Sequence, residues 1–532
     1  MPSSNSLFDT IRYFKDKRLL SIFCFGIASG FPWVMTGSAM SGWLKDEGLS
    51  RSSIGLFGLI FVTYSINFLW SPFVDRVKIP FLTSKFGQRR SWIMFTQLFM
   101  VIATYQLSQV NVSEQLSLVA LLGLTIAFFG SSQDIAIDAY RIDILADDHN
   151  NYMSAGSAMA TAGWWTGFAG LGSIPFLLVD SPNWDWSDAF LVLSGIMALL
   201  MVTTFIVKEP SNNREVELDL IQTNYLKVLP KQGLKPLYIL LILPAIFGSI
   251  IYANIGYPAW PDNLIPNNFS FTFITLFIVF LLVIFIQQLG HLNLTIRNMH
   301  PLDTHQAPNV IHRITAWLLT TLVAPIQEFF DRNGVKLALS ILLFIFLFKL
   351  GEAYLGRMSI VFYREVGFSN SDIAYYSKML NWATTIVFSL IGSVFTIRYG
   401  ILKGLFIGGI AMGASNLLFA VMALVGPNKL LFAGTVFVDG FTSAWGSVAF
   451  VALISVLCNK TFTASQYALM VSLGTFGRVM LGSYSGIVVD WLDGNWALFF
   501  VLTAVMVIPS LLFLYMIRKP LTALINKNES VK

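Results

Sequence analysis

The chain has 532 residues, of which 55% are apolar and only 12% charged, with 46 Phe and a net charge of +5 at neutral pH. Water-soluble domains carry about a quarter charged residues, so this composition excludes a soluble enzyme or a disordered scaffold, and continuous apolar blocks exclude the alternation of a β-barrel. The basic residues are dispersed among short polar segments and form no stripe, which excludes a nucleic-acid partner.

In chain order, residues 1–18 are polar and basic, and the apolar run 19–41 that follows has no small-residue cleavage site, so it is expected to stay as a first helix. Further blocks of the roughly 20 residues needed to cross the hydrocarbon core fall at 52–74, 91–110, 115–138, 153–179, 187–207, 237–257, 270–290, 337–362, 372–397, 404–426, 430–457, 463–489 and 495–517. This predicts an all-α integral membrane protein with fourteen spans. If both termini are cytoplasmic, 26 of the 34 Lys and Arg lie inside and four outside (Lys45, Arg51, Arg364 and Lys429), the other four being within spans. That bias is the positive-inside pattern, and removing one span would scramble it. Cys24 and Cys458 both border apolar runs, so no disulfide framework is expected.

The segment 47–54 before the second span recurs at 365–373, with Ser50 and Ile54 matching Ser369 and Ile373. Six spans counted from each start leave two extra between the halves. The expected domains are a six-helix bundle at 1–207, a linker at 208–336 containing the spans 237–257 and 270–290, a second six-helix bundle at 337–517, and a cytoplasmic tail at 518–532. Parallel six-helix halves are the organisation of the major facilitator fold, with its substrate site between the halves near the midplane. The linker stretch 313–331 mixes apolar residues with Arg, Gln, Glu and Asp and is expected to lie flat on the cytoplasmic face.

Ionisable groups inside spans cost about 2.5 to 3.5 kcal/mol each at the centre, so they are functional candidates. In the fourth span Asp134, Asp138 and Arg141 are spaced i, i+4, i+7 on one helical face. They read either as proton-carrying carboxylates beside a fixed cation or as a structural Asp138–Arg141 pair. Lys349 and Glu352, with Arg357 nearby, are either a self-satisfied pair or part of a site. Lys378, Asn381 and Trp382 share a face suited to a sugar or carboxylate ligand, unless Lys378 reaches out to the interface. Asp439 and Arg478 stand alone in their spans. Gly26/Gly30, Gly163/Gly167 and Gly482/Gly486 are GxxxG pairs that predict close helix contact. Trp33, Trp164, Trp165 and Trp445 read as interface or core aromatics or as ligand plates. No phosphate-loop or H-E-x-x-H motif occurs, and the histidines match no zinc set, so no catalytic residue, metal or cofactor is expected.

Asp75-Arg76 and Gly87-Gln88-Arg89-Arg90 resemble the acid-and-arginine loop that latches major facilitator transporters on the cytoplasmic side, although Ser71 replaces its leading glycine and about ten residues are inserted. More specifically, Ala28-Ser29-Gly30-Phe31-Pro32, the run from Ser132 to Arg141, Lys349-Leu350-Gly351-Glu352-Ala353, the run from Ala449 to Leu453 and that from Cys458 to Leu469 resemble AmpG-type muropeptide permeases. The resemblance implies a proton-driven importer of anhydromuropeptides in the inner membrane of Gram-negative bacteria, a monomer with cytoplasmic termini, serving peptidoglycan recycling and thereby β-lactam resistance. It implies transport roles for Gly30, Gln133, Asp134 and Asp138. On this reading Asp134, Asp138 and Glu352 are proton-coupling candidates. Gly30, Gln133, Lys349, Arg357, Lys378, Asn381, Trp382, Trp445 and Gln466 are substrate-binding candidates. Asp75, Arg76, Arg89, Arg90 and Arg141 form the cytoplasmic gate. Two other readings are an acetyl-CoA carrier of the same fold, and a membrane acyltransferase, for which His149 in a loop is the nearest candidate.

Overall fold

The computed structural model describes residues 13–49, 57–112, 114–146, 148, 150–179, 181–210, 214–233, 308–369, 372–482 and 485–530, with 236–238, 241–242, 287 and 291. Among these, nine helices are long and apolar enough to cross a bilayer. The predicted spans 237–257 and 270–290 lie outside the described residues, apart from 237–238, 241–242 and 287, as does most of the first copy of the repeated loop. The count of fourteen therefore stands as an expectation.

Residues Met1–Asn212 and Val335–Lys532 form one compact unit, and Asn213–Gly334 a second. In the first, α1 (Lys17–Gly30) starts at Asp16, whose side chain accepts from Arg18 N at 2.8 Å. Pro32 lacks the N–H that an α-helix needs, and the span continues as a wider π-helical stretch, Val34–Ala39, before α2 (Met40–Asp46). The second predicted span is not one helix. Its described part is a series of short turns ending in α3 (Ser71–Arg76), with Pro72 in the first turn. Asn67 and Trp70 sit at the joints, and Trp70 Nε1 donates to Ser132 Oγ at 2.9 Å.

Then come α4 (Gln88–Leu107), α5 (Leu116–Ile144) and α6 (Asn150–Trp165), the last continuing through a π turn at Thr166–Gly170 into α7 (Ile174–Val179). The helix α8 (Trp186–Ile206) opens with a reciprocal cap between Asp185 and Asp188. In the second unit α9 (Arg214–Gln232) packs with α10 (Val310–Leu318) and α11 (Ala324–Asn333), and Tyr225 donates to Gln327 at 2.9 Å. The stretch 313–331 lies in a run that is helical from Val310 to Asn333, with a π turn at Leu319–Val323 and Pro325 in the first turn of α11.

The second half begins with a broken span: α12 (Val335–Leu347) and α13 (Leu350–Val366) meet at Lys349, whose φ of −104° and ψ of 18° leave the α-helical range. A π stretch, Ile373–Leu380, leads into α14 (Asn381–Tyr399), followed by α15 (Ile401–Val425), α16 (Lys429–Leu457), α17 (Thr463–Gly482), α18 (Ser485–Trp491), α19 (Trp496–Val505) and α20 (Val507–Ser530). We call the end of the bundle where the chain enters α1 and leaves through α20 the basic end.

Each half has its own core. Phe31, Trp43 and Phe190 are among the first set; Phe362, Phe419, Phe432 and Phe499 are among the second. A third cluster joins them near the basic end, where Ala464 and Ala468 of α17 pack on Phe25, Val74, Ile135 and Tyr140. The first span crosses the fifth at backbone contact. A Cβ on Gly163 would come within 2.3 Å of the Phe23 carbonyl oxygen, and one on Gly167 within 2.2 Å of that of Ile27. Those glycines therefore serve packing. Gly486 has no comparable contact, its nearest neighbour being Met358 at 3.9 Å from the same hypothetical atom.

Candidate functional site

The polar groups gather at three levels along the bundle. At the basic end Arg89, fully buried, donates to Asp75 Oδ1 and to Asp143 Oδ2, each at 2.8 Å. The loop at Gly87 makes this possible. Its φ is +82°, and a Cβ there would strike the Glu209 side chain at 2.2 Å. Glu209 Oε1 and Oε2 accept from Arg89 N at 2.7 Å and Arg90 N at 3.0 Å, an anion at the N-terminus of α4. Burial holds the Glu209 carboxyl above the ordinary carboxylate range, opposed by those two backbone hydrogen bonds. Arg90 itself turns away to the Thr204 and Phe205 carbonyls.

The same acids hold the two halves together. Asp75 Oδ2 accepts from Ser465 N at 2.8 Å and Ser465 Oγ at 2.5 Å, its Oδ1 accepts from Ala464 N at 3.2 Å, and Thr463 Oγ1 donates to Asp143 Oδ1 at 2.6 Å. An arginine satisfied by two carboxylates, each also bonded across the interface, is a closed polar network whose parts are costly to remove singly. Of the expected gate residues, Asp75 and Arg89 lie in it. Asp143, Thr463 and Ser465 join them without having been singled out in the sequence. The signal for Asp143 was its place two residues after Arg141 on the same short polar stretch.

One level deeper, Arg141 Nη2 pairs with Asp138 Oδ1 at 3.0 Å, while Nη1 reaches Ser157 at 3.1 Å and Ser455, in the other half, at 3.0 Å. Tyr467 of the second half lies beside Asp138 and beneath the guanidinium, 5.3 Å from ring centre to carbon. The candidate acid and the candidate gate cation thus form one unit that spans both halves. A turn away, Asp134 Oδ1 accepts from Ser29 at 2.5 Å. Gln133 is fully buried and donates to the Ala28 carbonyl at 2.7 Å, and its own carbonyl oxygen has no partner among the described residues. Both side chains therefore fasten α5 to α1 beside Gly30. Gly30 is itself sealed by α6, where a Cβ would lie 2.1 Å from the Trp164 carbonyl oxygen. It sets a helix crossing and lines no open space.

In the second half Lys349 pairs with Glu352 at 3.1 Å and donates to Ser447 at 2.6 Å; Ser443 donates to Glu352 at 2.9 Å. A further turn along α16, Asp439 accepts from Ser415 at 3.2 Å. Asp439, Ser443, Ser447 and Ser455 are spaced in steps of four or eight and make a polar stripe that winds by a little under half a turn around α16. Trp445 projects from another side of that helix, against Gly392 and Gly408, with Phe395 and Phe441 beside it, and so does not share the Lys349 face. Asn381 approaches Gly440, and Trp382 approaches Gly170 of the first half. Lys378 is exposed. Gln466 accepts from Asn459 N at 2.8 Å, at the basic end near the latch and away from Asn381. The side chain of Arg357 and all of His149 lie outside the described residues.

Residues 22–225 match the family model described as acetyl-coenzyme A transporter 1. The chain is 27% identical over 513 residues to the anhydromuropeptide permease of Escherichia coli strain K12, covering 96% of this chain and 82% of that one. It is 28% identical over 503 residues to putative transporter AmpG 4 of Rickettsia conorii, covering 94% and 97%. The fold matches that of the major facilitator proton:xylose symporter XylE bound to 6-bromo-6-deoxy-D-glucose, with a TM-score of 0.56 at 12% identity over 94% of each chain. Two helical halves bonded to each other through buried ions carry the major facilitator fold, and along nearly its whole length the chain is similar to AmpG-type permeases.

Proposed function

We propose that the chain imports anhydromuropeptides, N-acetylglucosaminyl-1,6-anhydro-N-acetylmuramyl peptides, from periplasm to cytoplasm across a Gram-negative inner membrane, driven by the proton gradient. The observation that carries this reading is the Asp138–Arg141–Ser455 and Tyr467 cluster, in which a carboxylate inside a span is tied to a contact between the halves. Placing the basic end in the cytoplasm follows from the distribution of Lys and Arg. Protonation of Asp138 or its neighbour Asp134 from outside weakens the hold on Arg141; the basic end then opens, the halves rock, and deprotonation inside accompanies release. Each proton supplies about 2.3 kcal/mol per 100 mV of membrane potential.

A disaccharide with an acidic peptide is large, polar and anionic. Lys349, Lys378, Asn381 and Trp382 offer cations, an amide and an apolar plate suited to it. The protein works as a monomer on this reading, each chain having both halves. The test is uptake of labelled anhydromuropeptide into membrane vesicles with and without an uncoupler. Uptake that is absent, or indifferent to the uncoupler, refutes the proposal. A second reading, carriage of acetyl-CoA, is favoured by the family model over residues 22–225; inhibition of uptake by acetyl-CoA but not by unlabelled muropeptide would select it.

A further inference from the structure

Arg478 on α17 lies about 22 Å along its helix from Thr463, and Lys349 about 21 Å from Val335, so the two cations sit at one depth well inside their spans. A cation at such depth is costly and is expected to face a wet cavity or a partner. Lys349 has its partner in Glu352. Arg478 is exposed and has no hydrogen bond or ion pair among the described residues; Lys349 and Glu352 lie near enough to feel its charge. Both cations line one cavity of about 160 Å³ between α12, α16 and α17, whose other polar walls are Ser447, Tyr467 and Thr475.

The geometry points to this cavity as an anion subsite that holds a carboxylate on the peptide arm of the transported solute, with Arg478 as its principal ligand. Two positive charges and one negative leave a net single positive charge facing the space. Guanidinium is the cation best shaped to grip a carboxylate through two parallel hydrogen bonds. The cavity equals the liquid volume of about five waters, below the roughly 300 Å³ at which sites for whole drug-sized ligands begin, so it accepts one arm of the ligand and not the disaccharide. The start of α13 at Lys349 adds the positive end of a helix to the same wall.

This inference rests on the muropeptide reading, and the experiment separates the two. Uptake into vesicles is compared for a labelled anhydromuropeptide with free peptide acids and for the same compound with those acids converted to carboxamides, in wild type, Arg478→Gln and Arg478→Lys, with the amount of membrane-inserted protein measured for each. The wild type should prefer the acid form, and Arg478→Gln should cut that preference by about tenfold to a hundredfold, the loss of one charged hydrogen-bonding partner. Arg478→Lys should recover part of it. Equal loss of both compounds in Arg478→Gln, or no loss of either, overturns the subsite while leaving the import reading intact. A wild type that takes up neither compound overturns both. Stronger competition by acetyl-CoA than by free-acid muropeptide, dependent on Arg478, assigns the site to phosphate and overturns the carboxylate assignment.

Discussion

Replacing Asp75 by Asn should unlock the basic end. The carboxylate of Asp75 makes three bonds to α17 across the halves, at 2.5, 2.8 and 3.2 Å, and one to Arg89 at 2.8 Å. A hydrogen bond to a charged group contributes about 1.5 to 3 kcal/mol and a neutral one about 0.5 to 1.5, so neutralising the acceptor removes about 1 kcal/mol from each of the three cross-half bonds. An amide also keeps only one acceptor oxygen. The closed arrangement therefore loses about 3 kcal/mol relative to an open one, or roughly a hundredfold in the equilibrium between them. The chain supplies its own reporter, since Cys458 at the end of α16 is partly buried beside this network and the only other cysteine is Cys24. In a Cys24→Ser background and permeabilised membranes, maleimide labelling of Cys458 should speed up by more than tenfold in Asp75→Asn. An unchanged rate in a normally inserted protein would refute the idea that these bonds hold the basic end closed.

Asp134→Asn should abolish the pH dependence of uptake, and unchanged dependence would remove Asp134 from the proton path. Lys349→Met alone leaves Glu352 unpaired and should destabilise the detergent-solubilised protein by about 3 to 5 kcal/mol; the double change with Glu352→Gln should recover much of this in a thermal-melt cycle. Gly30→Ala, forced against the Trp164 carbonyl, should cost about 1 to 3 kcal/mol or prevent insertion, read as yield and melting temperature. Burial raises the Glu209 carboxyl above its ordinary value of 4.5, so the folded state binds its proton more tightly than the unfolded state. This group's contribution is thus greatest below 4.5 and declines as pH rises through the raised value. The melting temperature should fall over that window in wild type and less so in Glu209→Gln.

Much of the helical framework was legible because apolar length is a local property. The runs at 115–138, 187–207, 404–426 and 430–457 correspond to α5, α8, α15 and α16 with ends within a few residues, apart from the longer end of α5 at Ile144. The second span misled because hydropathy registers neither the joints at Asn67 and Trp70 nor the effect of Pro72. The pairs Asp138–Arg141 and Lys349–Glu352 were visible because each lies within one turn of a helix. The bonds of Asp75 to Ser465 and of Asp143 to Thr463 join residues 390 and 320 apart, and no local spacing encodes them. Trp445 was grouped with ligand plates by residue type, yet its direction is set by Gly392 and Gly408 on neighbouring helices.

The polar side chains of α16 give that helix the character of a camshaft. Ser443 engages Glu352, Ser447 engages Lys349 and Ser455 engages Arg141, from a line that winds about a third of a turn around the rod. A shift of the rod as a rigid body would disturb all three contacts together, so a change at the inner acid is transmitted mechanically to the opposite bundle.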